Sequence, residues 1–333
     1  MRGIINFGQR SLVLTLVGVF CLMISFEGLM AAEKFPEKPI KFLVGFSPGG
    51  SGELTARMLG SLVAESLGQP VVVVCKPGAS GTIAAAELAG SKPDGYVLEI
   101  ITPLTLVLAP LIIPVKYDPL KDIEPLLFVS SCGALGICVR SNEPWNSFQE
   151  LIEFARKNPG ELTMSTPGTA TGQHIAFELI ARQEKISWKH VPYPGGAPAS
   201  TALLGGHVKA TFGGGSHLPY VESGNFKLLA INSYRRSTRF PAAPTLKELG
   251  YSDIPVSDGY FIAAPKGVPE PVLKTLMDAF KKAAQGATFK EFLKMSFFEP
   301  DIKDREDVKK LIETEYMQWN AIVEKLDLKR KEK

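Results

Sequence analysis

The feature of this sequence that most constrains its fold is the regular alternation of short apolar runs with helical segments. The first apolar runs lie at 41–46, 71–75, 96–101 and 128–139. They are mostly rich in Val, Ile, Leu and Phe, as strands are in a sheet covered on both faces. Between the first two runs, apolar residues of segment 53–67 recur at helical spacing, and Gly68 ends the pattern. An Ala-rich helix is predicted at 82–89.

The same alternation begins again in the second half of the chain. Strands are predicted at 162–165, 186–193, 208–212 and 226–232, with helices at 173–182, 197–204 and 218–223. A strand at 260–264 and helices at 271–285, 289–295 and 306–326 follow. At roughly 100 to 200 residues per domain, the length of 333 residues suggests two domains. The pattern therefore predicts two α/β units followed by helices that pack on an earlier part of the chain.

The N-terminal segment has the order of a secretory signal peptide. Arg2 and Arg10 precede an apolar run at 11–26, and the small residues Ala31 and Ala32 follow it. The run is shorter than the ~20 residues that cross a bilayer, so a membrane anchor is the weaker interpretation. We expect a periplasmic protein whose signal peptide is cleaved near Ala32.

Charge and cysteine content exclude several classes of protein. Lys and Arg total 37 against 34 for Asp and Glu, so no strong overall field attracts nucleic acid or an anionic membrane. Beyond the leader, Cys75, Cys132 and Cys138 remain, an odd number that rules out a fully paired disulfide framework. If segment 128–139 is one strand, Cys132 and Cys138 lie about 20 Å apart and cannot bridge. Buried free thiols are expected.

A glycine-rich loop at 45–53 joins the first predicted strand to the first predicted helix. It reads GFSPGGSGE, and its glycines let backbone N–H groups approach an anion at a helix N-terminus. Ser51 stands where a phosphate-binding P-loop needs Lys, and the dinucleotide pattern GxGxxG is missing. A tight turn with Ser51 as the helix N-cap is the alternative interpretation that needs no ligand.

A second loop of the same kind lies at 165–174 and reads STPGTATGQH. Two such loops in two α/β units suggest a cleft that holds one anion. The sequence has no GxSxG motif, and its four histidines lack the spacing of a local metal site. The pair of loops therefore favours a binding protein over an enzyme, with no cofactor and no metal. A secreted α/β hydrolase remains the alternative from another class.

Several ordered segments resemble one family, the substrate-binding receptors of tripartite tricarboxylate transporters, also called Bug receptors. The segments are FPEKPIKFLVGFSPGGSGELTAR from Phe35, LGQPVVVVCKPGASG from Leu67, KPDGYVL from Lys92, KYDPLKDIEPL from Lys116, the loop from Ser165, HVPYPGGAPASTALLGGHV from His190, FPAAPTLKELGY from Phe240 and FIAAPKGVPEPV from Phe261. The resemblance covers essentially the whole chain after the leader.

The resemblance implies a type II periplasmic-binding-protein fold, with two α/β domains and a ligand cleft between them. It divides the chain into a signal peptide at 1–32, a first domain at 33–131 and 257–328, a second domain at 132–256 and a basic tail at 329–333. It also implies a monomeric receptor that passes a small carboxylate to the membrane subunits of a transporter. A ligand sensor for a signalling partner shares every one of these features.

The ligand-binding candidates that the resemblance implies lie in both loops and near later strands. They are Phe46, Ser47, Gly49, Gly50, Ser51, Gly52, Glu53, Thr102, Gly168, Thr169, Thr171, Gly172, Gln173, Gly213 and Gly214. The chain departs from the common family pattern at Gly52 and Glu53, where Thr and Asp are usual. Ala170 stands where Gly is common, and Gly213 where many relatives carry Asp. These departures weaken the transfer of any particular ligand.

Overall fold

The computed structural model describes residues 35–132, 135–233, 235–256, 259–296 and 298–329. It divides into a short N-terminal unit, Met1–Glu37, and one compact unit, Lys38–Lys333. The predicted leader and its cleavage position lie outside the described residues, as does the basic tail beyond Lys329. Within the described ranges, every helix is too short or too polar to cross a membrane.

The described strands form one six-stranded and one five-stranded sheet. In chain order they are β1 (Ile40–Val44), β2 (Val71–Cys75), β3 (Val97–Ile101), β4 (Ile123–Cys132), β5 (Leu135–Arg140), β6 (Thr163–Thr166), β7 (Lys189–Pro192), β8 (Ala210–Gly213), β9 (Phe226–Asn232), β10 (Gly259–Pro265) and β11 (Phe298–Asp304). The larger sheet has the order β11-β4-β10-β3-β1-β2, and the smaller β7-β6-β8-β5-β9. β1 is parallel to β2 and β3, whereas β10 is antiparallel to both its neighbours.

Helices connect and cover these strands, as the alternating pattern predicts. They are α1 (Ser51–Leu67), α2 (Thr82–Ala89), α3 (Pro103–Val107), α4 (Ala109–Ile112), α5 (Phe148–Lys157), α6 (Gly172–Glu184), α7 (Gly196–Leu204), α8 (Leu218–Glu222), α9 (Glu270–Gln285), α10 (Ala287–Met295) and α11 (Arg305–Lys325). Gly68 ends α1 in the left-handed conformation, at φ 68°, which glycine adopts without steric cost. The sequence pattern did not reveal α3, α4, α5 or β11.

Each sheet has an apolar core of its own. Leu43, Ile101 and Phe261 of the larger sheet are buried together with Trp319 and Val323 of α11. In addition, Phe280 of α9 lies 5.4 Å from Phe42 of β1, between ring centroids. The last helices of the chain therefore pack on the larger sheet, which is built mainly from the beginning of the chain. The smaller sheet encloses a separate cluster that includes Ile137, Phe177 and Phe212.

The chain passes from the larger sheet to the smaller one between β4 and β5. The prediction of one strand at 128–139 is therefore wrong, because β4 pairs with β10 and β11 whereas β5 pairs with β8 and β9. Apolar periodicity reports burial but does not show which sheet buries a residue. Cys138 on β5 is a buried free thiol, and Cys75 is free and half-buried. The side chain of Cys132 lies outside the description.

Candidate functional site

The first loop ends at a helix start that no side chain caps. Gly50 is the N-cap of α1, in an extended conformation without a side-chain cap hydrogen bond. The interpretation of Ser51 as the N-cap is therefore wrong: its hydroxyl lies 3.0 Å from that of Tyr260. The first hydrogen bond at this helix start runs from the Leu54 N–H to the Gly50 carbonyl at 3.1 Å. The backbone N–H groups of Ser51 and Gly52 precede it and point outward from the helix end.

Glu53 stabilises this loop from within. Its carboxylate accepts a hydrogen bond from the Gly49 N–H at 3.3 Å and forms an ion pair with Arg57 one turn along α1. Glu53 is only 4% exposed, and Gly49 has a φ of 78°, which favours glycine. The charge predicted to face a ligand is thus neutralised inside the loop.

The second loop is capped by a hydroxyl group. Thr171 is the N-cap of α6: its Oγ1 accepts the His174 N–H at 3.3 Å and donates to the Gly168 carbonyl at 2.9 Å. Ala170 has a φ of 64°, a left-handed conformation that costs a residue with a Cβ about 1 to 2 kcal/mol. This backbone geometry gives a physical reason why glycine suits position 170.

Two stacked histidines lie behind the second loop. The ring centroids of His174 and His190 are 4.0 Å apart. His174 Nδ1 accepts the Ala170 N–H at 3.1 Å, and His190 Nε2 lies 2.6 Å from Thr166 Oγ1. Burial lowers the pKa of His174 to about 4 and, together with the nearby His174, that of His190 to about 3. Both rings are therefore neutral at pH 7, which leaves Nδ1 of His174 free to accept.

The residues of the two sheets meet across a closed cleft. The N–H and the hydroxyl of Ser47 both donate to the Pro194 carbonyl, at 3.0 and 2.8 Å. The Ser80 hydroxyl donates to the Thr169 carbonyl. A Cβ at Gly172 would lie 2.4 Å from Leu104 Cδ1, so the missing side chain of Gly172 permits the close approach.

A small cavity of about 60 Å³ lies where the two loops meet. Its lining residues are Phe46, Gly50, Ser51, Gly52, Ser80, Thr102, Leu104, Thr105, Pro167, Ala170, Thr171, Gly172, Gln173, Gly196, Gly214, Ser216 and Tyr260. None of these side chains carries a formal charge. The starts of α1 and α6 both face the cavity, so it offers N–H and hydroxyl donors and the positive ends of two helices.

The predicted residues divide into two groups around this cavity. Those that line it are Phe46, Gly50, Ser51, Gly52, Thr102, Thr171, Gly172, Gln173 and Gly214. Gly168 and Thr169 line a neighbouring pocket of about 230 Å³, and Gly213 packs near the His217 ring. Ser47 bridges the sheets, and Gly49 and Glu53 hold the first loop.

Sequence reasoning missed Ser80, Thr105, Gly196, Ser216 and Tyr260, which also line the cavity. Gly196 follows another glycine at the start of α7, a signal of the same kind as in the two loops. Tyr260 gives no local signal, because it reaches Ser51 from 209 residues further along the chain.

A larger groove of about 1410 Å³ includes Arg235, Lys290 and Phe298 in its lining. No residue of the 45–53 or 165–174 loops lines it. Unlike this groove, the small cavity is lined by both helix starts. Among the described residues, no group of His, Cys, Asp and Glu is arranged to hold a metal ion.

Comparisons with known proteins find relatives that match most of the chain. The chain is 35% identical over 297 residues to the UPF0065 protein in the gbd 5' region of Cupriavidus necator, which covers 89% of this chain and 90% of that protein. It is 32% identical over 325 residues to Protein BugT of Bordetella pertussis, covering 96% and 98%.

Solved structures share the fold. Periplasmic binding protein BugD has a TM-score of 0.84 at 28% identity and covers 89% of this chain and 100% of BugD. MatC from Rhodopseudomonas palustris with bound malate has a TM-score of 0.80 at 25% identity, covering 87% and 100%. A second R. palustris protein, solved with adipate, has a TM-score of 0.82 at 25% identity, covering 88% and 98%.

These structures confirm the expected fold of two α/β domains with a cleft between them. The family of tripartite tricarboxylate transporter receptors matches residues 55–328. It is a family of solute-binding receptors rather than of enzymes. With most of its length matched and its two helix-start loops facing one cavity, the chain belongs to the tripartite tricarboxylate transporter receptor family.

Proposed function

We propose that the chain is an exported, monomeric receptor that binds a small carboxylate in the 60 Å³ cavity and delivers it to the membrane subunits of a tripartite tricarboxylate-type transporter. The observation that carries the proposal is the convergence of the α1 and α6 starts on a cavity without charged side chains. The leader-like segment at 1–32 supports export, with cleavage near Ala32.

Hydrogen bonds and helix ends suffice to hold an anion in this cavity. A hydrogen bond to an ionised group contributes about 1.5 to 3 kcal/mol, and a helix N-terminus adds about 0.3 to 1 kcal/mol, up to about 2 when partly buried. Several such contacts offset the roughly 4 to 15 kcal/mol cost of association and reach micromolar affinity, about −8 kcal/mol. No arginine is needed.

The chemistry of related structures supports a carboxylate. One holds malate and another was solved with adipate. In this chain the cavity is small, which favours a short acid. Because no acidic side chain lines it, the distal end of the ligand need not carry an ammonium group, and an acid without an amino group should bind at least as well as the matching amino acid.

In the proposed mechanism, closure of the cleft creates a receptor conformation that the membrane subunits recognise. In the proposed cycle, the contacts of Ser47 with Pro194 and of Ser80 with Thr169 form when the domains close on the ligand. Only the closed, loaded receptor then presents both domain surfaces together to the membrane subunits. These two serine hydroxyls bond to backbone carbonyls, which argues against either as the nucleophile of a secreted hydrolase.

Calorimetric titration of the purified protein with succinate, malate, glutarate and adipate tests the proposal. We expect at least one acid to bind with micromolar affinity. Gly50→Val, which places a side chain against the cavity, should abolish that binding while the fold persists. Gly90→Val is the matched control, because Gly90 lies at the end of α2, has a negative φ and is exposed. Absence of binding by any acid in a broader carboxylate panel would reject the proposal.

A further inference from the structure

Tyr260 is a cavity residue that belongs to neither loop. It lies on β10, near the point where the chain returns from the smaller sheet to the larger one. The side chain is 8% exposed, and its hydroxyl is 3.0 Å from that of Ser51 at the start of α1. Tyr260 therefore joins the returning strand to the helix start that faces the ligand site.

The Tyr260 ring and the backbone of Gly52 occupy adjoining space. A Cβ built on Gly52 would lie 3.2 Å from the Tyr260 hydroxyl oxygen and 3.3 Å from Cε1. Contacts that short would require the ring to shift by a few tenths of an ångström. The absence of a side chain at position 52 is thus what allows the ring to stand against the end of α1.

On its other side, the Tyr260 ring packs on Phe298 of β11, with ring centroids 5.5 Å apart. Phe298 lines the groove of about 1410 Å³, whereas Tyr260 lines the cavity of about 60 Å³. The two rings therefore form a partition between the small cavity and the large groove.

We propose that Tyr260 is a specificity-determining residue whose ring, placed against Gly52 and Phe298, closes one end of the cavity and sets the length of the acid that fits. This inference rests on the proposed function of the cavity. The Tyr260 hydroxyl holds that of Ser51 at the helix start. The ring excludes longer acids, whose far end would otherwise extend toward the groove.

Calorimetry with succinate, glutarate and adipate on four proteins tests the proposal. The wild-type protein and Tyr260→Phe keep the ring and should both prefer the short acid. Tyr260→Ala and Tyr260→Leu remove the aromatic ring that closes one end of the cavity. The ratio of adipate to succinate affinity should then rise about tenfold, as expected for burying two further methylene groups. The leucine variant keeps apolar packing and preserves the test should the alanine variant fail to fold.

The outcomes separate this inference from the function it rests on. If the wild-type protein binds an acid but all four proteins share the same affinity ratio, Tyr260 does not set ligand length and the inference is overturned. If Tyr260→Phe changes the ratio of adipate to succinate affinity as much as Tyr260→Ala does, the hydroxyl rather than the ring sets the preferred ligand length. That result also overturns the inference. If the wild-type protein binds no carboxylate at all, the proposed function fails and this inference with it.

Discussion

The loops before α1 and α6 present similar helix starts to the cavity but are held by opposite chemistry. In the first loop, the buried carboxylate of Glu53 binds the Gly49 N–H and Arg57. In the second, the neutral groups of Thr171 and His174 satisfy the backbone. The loop before a helix can thus be held either by an ion-paired carboxylate or by neutral polar groups. In both cases, the side chains that line the cavity carry no formal charge.

The largest expected effect tests which loop limits closure. Gly172→Ala places a Cβ 2.4 Å from Leu104 Cδ1 on the opposite side of the cleft, whereas a Cβ at Gly50 meets only Ser47 of its own loop, at 3.3 Å. We expect Gly172→Ala to lower acid affinity about 10- to 100-fold, because the buried end of the Leu104 side chain must shift and overpacking costs about 1 to 3 kcal/mol, and Gly50→Ala to lower it less. Titration with the best-bound acid of the dicarboxylate series measures both.

Leu104→Ala provides the control for that result. It removes the atom that a Cβ at position 172 would strike, so the double variant should recover most of the lost affinity. If the double variant binds as weakly as Gly172→Ala alone, the loss does not come from blocked closure.

The next largest effect is on the free energy of unfolding and comes from the Glu53 carboxylate in the first loop. Glu53→Ala leaves the Gly49 N–H without its acceptor, and the free energy of unfolding should fall by about 1.5 to 3 kcal/mol. Glu53→Gln retains an acceptor and should cost less than about 1 kcal/mol. Urea unfolding of both variants, with exposed Glu65→Ala on the same helix as control, checks the order. Equal losses of stability in Glu53→Ala and Glu53→Gln would show that the negative charge contributes more than the hydrogen-bond acceptor.

Lowering the pH should reduce the stability of the folded protein through the two histidines behind the second loop. Their pKa values fall in the folded protein, to about 4 for His174 and about 3 for His190, so the unfolded chain binds more protons below about pH 6.5. Stability is therefore complete above that pH and is lost as the pH falls toward 4. His174 also faces Glu178, 3.7 Å away, whose own pKa burial raises.

Urea unfolding between pH 4 and 7 measures this dependence. His174→Gln keeps a neutral acceptor near the Ala170 N–H, and it should flatten the wild-type profile over that range. A variant profile as steep as that of the wild-type protein would assign the acid sensitivity to other groups.

The smallest effect is the backbone strain of the second loop. Ala170→Gly relieves the cost of φ 64°, partly offset by the greater freedom of glycine in the unfolded chain, so stability should rise by about 0.5 to 1 kcal/mol. Thermal unfolding measures the gain, and Lys185→Gly at φ 54° is the control at a helix end outside the loop. A loss of stability in Ala170→Gly alone would show that the Cβ packs favourably.

Local patterns predicted much of the fold. β2 and α2 have the predicted bounds, because a run of valines and a run of alanines each favour one conformation. The wrong prediction at 128–139 and the missed residue Tyr260 share a cause. In both, the decisive contact is with a residue far away in the chain, and no residue type or spacing records that partner.

The acceptors that close the cleft are main-chain atoms, the carbonyls of Pro194 and Thr169. A carbonyl is present whatever side chain the residue bears, so point mutations at those two positions leave the acceptors in place. Ser47 does not line the small cavity, and its backbone N–H also donates to the Pro194 carbonyl. The side chains that contact the solute can therefore diverge between related receptors without loss of this contact. A closing contact that does not depend on the side chains of the cavity offers one route by which related receptors come to bind different solutes.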